Sequence, residues 1–187
     1  MKTKNEKPIL FSTPMVQAIL GDRKTMTRRI VKFPKDFDGR NVYSNDPHGL
    51  KYSRSDDMIE RLFPKYKVGD VLWVRETFQT LPPNMVFYKA DKENKATGNW
   101  KHSIFMPREA ARIFLKVTRV RVERLQDISG EDAMKEGVKI ESMWPLCIGD
   151  SYRAFSILWE SINGKGSWDA NPWVFVYDFE KVGDYYI

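Results

Sequence analysis

Apolar and polar positions along this chain change period several times, and each change marks an element. Met15, Val16, Ile19 and Leu20 recur at helical spacing, which predicts a short amphipathic helix over 12–21. Thr13 suits its N-cap, Pro14 its first turn and Gly21 a left-handed end. From Arg23 to Val31 the chain reads as a basic, threonine-containing loop or the start of a strand. Residues 34–67 are polar and rich in Gly, Pro, Asn, Asp and Ser. They predict a long loop, with a helical turn near Met58 to Leu62. Val68, Gly69 and Asp70 predict a turn, 71–78 a strong strand, and 86–90 another.

The stretch 112–123 alternates, with Ile113, Leu115 and Val117 on one face. The next apolar pair, Val120 and Val122, is out of phase by one residue. A slip of one position in a strand is what a bulge produces, so a bulge or sharp bend is expected at Thr118 or Arg119. Ser129 and Asp132 have capping-box spacing ahead of a short helix that Gly137 stops. Phe155, Leu158, Trp159 and Ile162 predict a longer amphipathic helix over 151–163. Trp168 to Pro172 predicts a turn into a final strand at 173–179. Separated strands with short helices between them favour an α+β fold, a mixed β-barrel with flanking helices, over a parallel α/β sheet. No repeat or low-complexity linker divides the chain. A single domain over 1–187 is expected, with long loops near 34–67 and 138–150.

Composition narrows the class. The 187 residues are 42% hydrophobic and 13% aromatic, enough for a folded core. No apolar run approaches the roughly 20 residues of a membrane helix, and the first fifteen residues lack the apolar stretch of a secretory signal. The lone Cys147 fits a reducing compartment, so a cytoplasmic protein is expected. With His48 and His102 it makes no spaced ligand set, and no metal or organic cofactor is implied. The net charge of +6 is concentrated between Arg23 and Arg40 and between Arg108 and Arg124. These are two solvated faces or, if they share one side of the fold, a phosphate track.

The run Ala18-Ile19-Leu20-Gly21-Asp22-Arg23-Lys24-Thr25-Met26-Thr27-Arg28-Arg29 resembles the N-terminal signature of ASCH domains. That signature is a helix ending at a glycine, then a basic residue, lysine, threonine, a spacer, a second threonine and arginine. Gly69-Asp70-Val71-Leu72-Trp73-Val74 looks like the family's Gly-Asp turn into a strand. The 117–122 strand with the acidic helix after it, and the closing strand from Trp173, follow in the family's order. The whole looks like a longer ASCH-like type often carried by phages and prophages. The resemblance implies a PUA-like barrel and a link to RNA. Compact members include a bacterial amidohydrolase that removes the acetyl group from N4-acetylcytidine with a lysine, a threonine and a glutamate. By motif these fall on Lys24, Thr27 and Glu136.

Those residues suit amide hydrolysis in principle. Thr27 offers a hydroxyl nucleophile, and Lys24 acts as base if burial or the neighbouring Arg28 and Arg29 lower its pKa. Glu136, at the negative end of its helix, acts as an acid; alternatively it activates water while Thr27 orients substrate. Arg23, Arg28, Arg29 and Arg75 are candidates for phosphate or base contacts, and Trp73 and Trp100 for stacking. Glu76 is a further candidate, or a structural partner of an arginine. As consecutive strand residues, Arg75 and Glu76 face opposite sides. Three functions remain open: an RNA- or nucleoside-handling enzyme, a non-catalytic RNA-binding module, and a phage-associated adaptor for a host protein.

Overall fold

The computed structural model describes residues 5–34, 37, 42–43, 50–55, 58–82, 85–92, 98–139 and 148–183. Along the chain lie β1 (Glu6–Leu10), α1 (Thr13–Leu20), β2 (Met26–Ile30), β3 (Val42–Tyr43), β4 (Leu50–Ser55) and β5 (Met58–Leu62). There follow β6 (Val71–Arg75), β7 (Phe78–Leu81), β8 (Met85–Tyr88), β9 (Phe114–Arg124), α2 (Gly130–Lys135), α3 (Ile148–Asn163) and β10 (Trp173–Lys181). The fold is α+β. Its centre is a five-stranded mixed sheet in the order β1-β6-β9-β10-β2, with β3-β4-β5 and β7-β8 as smaller sheets. Only β1 and β6 pair in parallel within the central sheet. Among the described residues its ladder is open, with β1 and β2 as edges.

Both faces of the central sheet are covered, which is why β10 reads as a nearly continuous apolar run. Its Phe175, Tyr177 and Phe179 enter the main core with Ile9, Leu72, Val74 and Leu115. Its Val174 and Val176 face a second core, built with Met26, Leu125, Phe155 and Trp159 under α2 and α3. The bulge falls where the slipped alternation put it. Asp178 pairs with Arg119 and Phe179 with Val117, so Thr118 is the extra residue. With that residue looped out, Val120 and Val122 return to the core that holds Leu115 and Val117.

Several local expectations are corrected. The N-cap of α1 is Ser12, not Thr13, and Gly21 is not left-handed, at φ −91°. The left-handed residue is Asp22, at φ 54°, a residue type that tolerates that region. Residues 34–67 are not one long loop. Met58–Leu62, expected as a helical turn, is a strand paired antiparallel with β4, because pairing with a neighbouring strand overrides weak local helix preference. The strand expected over 71–78 breaks at Glu76, after which Phe78 starts a different sheet. The helix expected at 151 starts at Ile148. Of the loop expected near 138–150, residues 140–147 lie outside the described residues, as do Cys147 and His48.

Ser129 caps α2 by accepting from the Asp132 amide at 3.1 Å. The reciprocal half of the expected capping box is missing, because the Asp132 carboxylate turns to Arg28 and Arg121. Ser129→Ala is expected to lower stability by about 1 kcal/mol, measured by urea unfolding. An unchanged midpoint would show that this cap contributes nothing.

Candidate active site

The site grows from the turn after α1. With Asp22 left-handed, the Arg23 and Lys24 amides both donate to the Ala18 carbonyl, at 2.9 and 3.1 Å. The chain is thereby folded back against the end of α2. Lys24 and Glu136 form an isolated antiparallel bridge, and the Thr25 amide donates to the Lys135 carbonyl at 2.9 Å. Sequence-distant residues are thus clamped together by backbone before their side chains meet.

The Lys24 side chain is wholly shielded from solvent. Its Nζ donates to Glu136 Oε2 at 2.7 Å and to the Glu136 carbonyl at 2.9 Å, and lies 5.5 Å from the Phe11 ring centre. Burial holds the Lys24 pKa below its ordinary value; Glu136 opposes this, while Arg29 and Arg28 add to it. The cations expected to depress this lysine do so, but desolvation is the larger cause.

The second Glu136 oxygen, Oε1, accepts from Arg28 at 3.2 Å. Glu136 is the C-cap of a helix of six residues. Two facing cations, rather than a helix dipole, therefore dominate its surroundings.

Thr27 and Glu136 both line a cavity of about 630 Å³, together with Arg29 and Arg75. Lys24 is not among the lining residues and reaches the cavity through the Glu136 carboxylate. The Thr27 hydroxyl has no hydrogen-bond partner among the described residues. The cavity lies between the two sheet edges: Pro8, Ile9 and Leu10 of β1 line it, and so do 27–30 of β2. The Arg29 guanidinium crosses the gap and donates to the Leu10 carbonyl at 2.9 Å. The sheet curls enough for its edges to share a pocket without sharing a ladder.

The other candidates separate by their partners. Arg28 is fully buried and committed to Glu123, Asp132 and Glu136, on the face that also carries Arg121 with Glu123, Asp132 and Asp178. It is a structural ion rather than a free donor. Arg23 is exposed outside the cavity, with its guanidinium on the Gly137 carbonyl at 3.3 Å. Arg75 reaches the cavity, held by the Met106 and Ile104 carbonyls and placed over the Trp73 ring at 5.4 Å.

Glu76, just past the end of β6, stays out of the cavity lining. It is 1% exposed and takes a two-pronged contact from Arg112 at 3.0 and 3.1 Å. Burial raises its pKa, and Arg112 works against that rise. Trp73 and Trp100 are half-buried and do not line the cavity. The rings that do include Phe63, Tyr66, Phe155 and Tyr177. Sequence reasoning missed Tyr66 and Tyr177; alternation along β10 put Tyr177 on the right face, but nothing local marked Tyr66. Tyr66 donates to the Pro8 carbonyl at 2.8 Å and meets Tyr177 edge-on at 5.2 Å. Burial pushes the Tyr177 hydroxyl up to about 12, so it stays protonated at neutral pH.

The Lys24 shift has a measurable sign. The folded chain releases this proton before the unfolded chain, whose lysine titrates at 10.5. Between the folded value and 10.5 the unfolded state binds more protons, so stability rises with pH; the contribution is lost as pH falls through the folded value. Buried Tyr66, Tyr88 and Tyr177 have raised values and act in the opposite sense, equally in wild type and variant. Unfolding free energies followed from about pH 7 to 10 are therefore expected to rise more steeply for wild type than for Lys24→Met. Parallel curves would rule out a depressed Lys24.

Among the described residues no group of His, Cys, Asp and Glu side chains is arranged to hold a metal ion. Comparison with protein-family models, with curated proteins and with solved structures returns no match.

Proposed function

We propose that the chain is an ASCH-like domain whose curled sheet is a PUA-like barrel, and whose cavity binds a modified cytidine and hydrolyses its exocyclic amide. The observation that carries this reading is the contact of the Lys24 amine with the Glu136 carboxylate, which lines one cavity with Thr27. These are the three positions that the family resemblance singles out, and they lie up to 112 residues apart in the chain.

On this reading the three groups divide the work of amide hydrolysis. The Thr27 hydroxyl attacks the acetyl carbonyl carbon, and its proton passes to Glu136 and on to a neutral Lys24. Breaking the C–N bond sends that proton to the departing amino group and leaves an acetyl ester on Thr27. Water then cleaves the ester to acetate, restoring the threonine. Arg75 supplies a guanidinium in the cavity lining for the carbonyl oxygen as it gains charge. Tyr66 and Tyr177, on the face of Thr27, offer apolar surface for a base.

A second reading, a pocket that binds RNA without catalysis, draws support from Lys24 lying behind Glu136 rather than in the cavity. No helix among the described residues is long and apolar enough to cross a membrane.

The test is release of cytidine and acetate from N4-acetylcytidine by the intact chain, followed by chromatography. Release supports the hydrolase. If no cytidine forms with protein in excess over substrate, hydrolysis of this nucleoside is rejected, and binding alone remains.

A further inference from the structure

Among the described residues some basic side chains are paired with acids, Lys7 with Asp70, Arg108 with Glu6, Arg112 with Glu76 and Asp91, and Lys181 with Asp22, while others, such as Arg23 and Arg124, reach main-chain carbonyls. The cavity gathers cations that have no carboxylate partner. Among the described residues four cations line it besides Arg28: Arg29, Lys32, Lys65 and Arg75. None of the four has a carboxylate partner among the described residues. Arg29 and Arg75 bond only backbone carbonyls, and Lys65 lies over the Tyr66 ring at 5.3 Å. Among the described residues the one acid in the lining, Glu136, is already taken by Lys24 and Arg28. The lining thus keeps an uncompensated positive charge, carried by exposed lysines and half-buried arginines. Such a cavity concentrates anions.

Apolar side chains line the cavity on both sides of β2: Phe175 and Tyr177 of β10 on the face of Thr27 and Arg29, and Phe155, Leu158 and Ile162 of α3 on the other. A pocket that pairs an aromatic wall with unpaired guanidinium and ammonium groups suits a flat base joined to a phosphate. At about 630 Å³ it lies within the range that small-molecule sites occupy.

We propose that Lys32 and Lys65, with Arg29, form a phosphate subsite at this cavity, so that the ligand is a nucleotide rather than a free nucleoside. This rests on the reading of the cavity as a nucleobase pocket and adds the charged half of the ligand to it. A free nucleoside monophosphate and a nucleotide within an RNA strand share this chemistry.

The experiment is calorimetric titration of the full chain with cytidine, cytidine 5′-monophosphate, cytidine 3′-monophosphate, a cytidine trinucleotide and inorganic phosphate. At least one monophosphate is expected to bind roughly tenfold more tightly than cytidine. That advantage should shrink at high salt and vanish in the double variant Lys32→Glu, Lys65→Glu. Circular dichroism of the variant checks that these two surface changes leave the fold intact. A trinucleotide that binds more tightly than either monophosphate assigns the phosphate to a strand; one that binds equally or less tightly assigns it to a free nucleotide. If cytidine and both monophosphates bind alike, the phosphate subsite is overturned while the base pocket stands. If phosphate binds and cytidine does not, the anion subsite survives and the base reading falls. If no probe binds, both are overturned.

Discussion

Glu136→Gln is expected to lower the unfolding free energy by about 3–5 kcal/mol and, on the hydrolase reading, to remove turnover in the fraction that stays folded. The amide is nearly isosteric, so little packing is lost. What changes is charge. Lys24 Nζ keeps neutral acceptors in the amide oxygen and the main-chain carbonyl of residue 136 but loses its carboxylate. Arg28, also buried, keeps Glu123 and Asp132 but loses its third carboxylate. A buried ammonium without a counter-ion carries a desolvation penalty that the missing Coulomb attraction no longer offsets.

Lys24 has a way out, since burial already holds its pKa below the ordinary value. The loss should therefore diminish as pH rises and the amine sheds its proton. Adding Lys24→Met to Glu136→Gln removes the stranded cation. The double variant is expected to be more stable than Glu136→Gln alone, as seen by urea unfolding and a double-mutant cycle. If the double variant instead loses the sum of the two single losses, the two groups are not coupled and the central contact of the site is wrong.

Gly137→Ala is expected to cost about 2–5 kcal/mol, through two separate effects. Gly137 has φ +85°, where an L residue pays about 1–2 kcal/mol. Its added Cβ would also lie 2.8 Å from Ala18 Cβ and 2.9 Å from Lys24 Cβ. Both neighbours are fixed close to their own backbones, so the contact is relieved only by separating α1 from the end of α2, an overpacking cost of about 1–3 kcal/mol. Gly164→Ala separates the two effects. Gly164 has φ +96° with nothing within 4 Å of an added Cβ, so only the backbone penalty should appear there. Equal losses at the two glycines, measured by urea unfolding, would falsify the close approach. The Gly137 change also shifts Lys24, so the alkaline rise in stability should alter at Gly137→Ala and not at Gly164→Ala.

How much of this was legible beforehand depends on the range of the interaction that decides each feature. The bulge at Thr118 could be read because period-2 patterning is a local code: one skipped apolar position is one extra residue. The Ser129 cap, the α3 stripe and the β10 strand were legible for the same reason, each being set by neighbours a few residues away. The left-handed turn after α1 was placed one residue early, at Gly21 instead of Asp22. The chain needed its turn where the Arg23 and Lys24 amides could both reach Ala18, a demand that residue preference does not contain. Met58–Leu62 was misread because its partner strand, not its own sequence, makes it a strand.

Within the site, the sequence by itself determined the chemical kinds of groups: a lysine, a threonine and a glutamate carried by a helix–turn–strand and a short capped helix. Tertiary structure alone decided which charges meet. Arg28 and Arg29 are adjacent in sequence, yet Arg28 is sealed among three carboxylates while Arg29 faces the cavity with none. The physical reason is that strand geometry sends successive side chains to opposite faces, whereas what waits on each face comes from elements a hundred residues away. Charge is written locally; burial and partnership are properties of the packed whole.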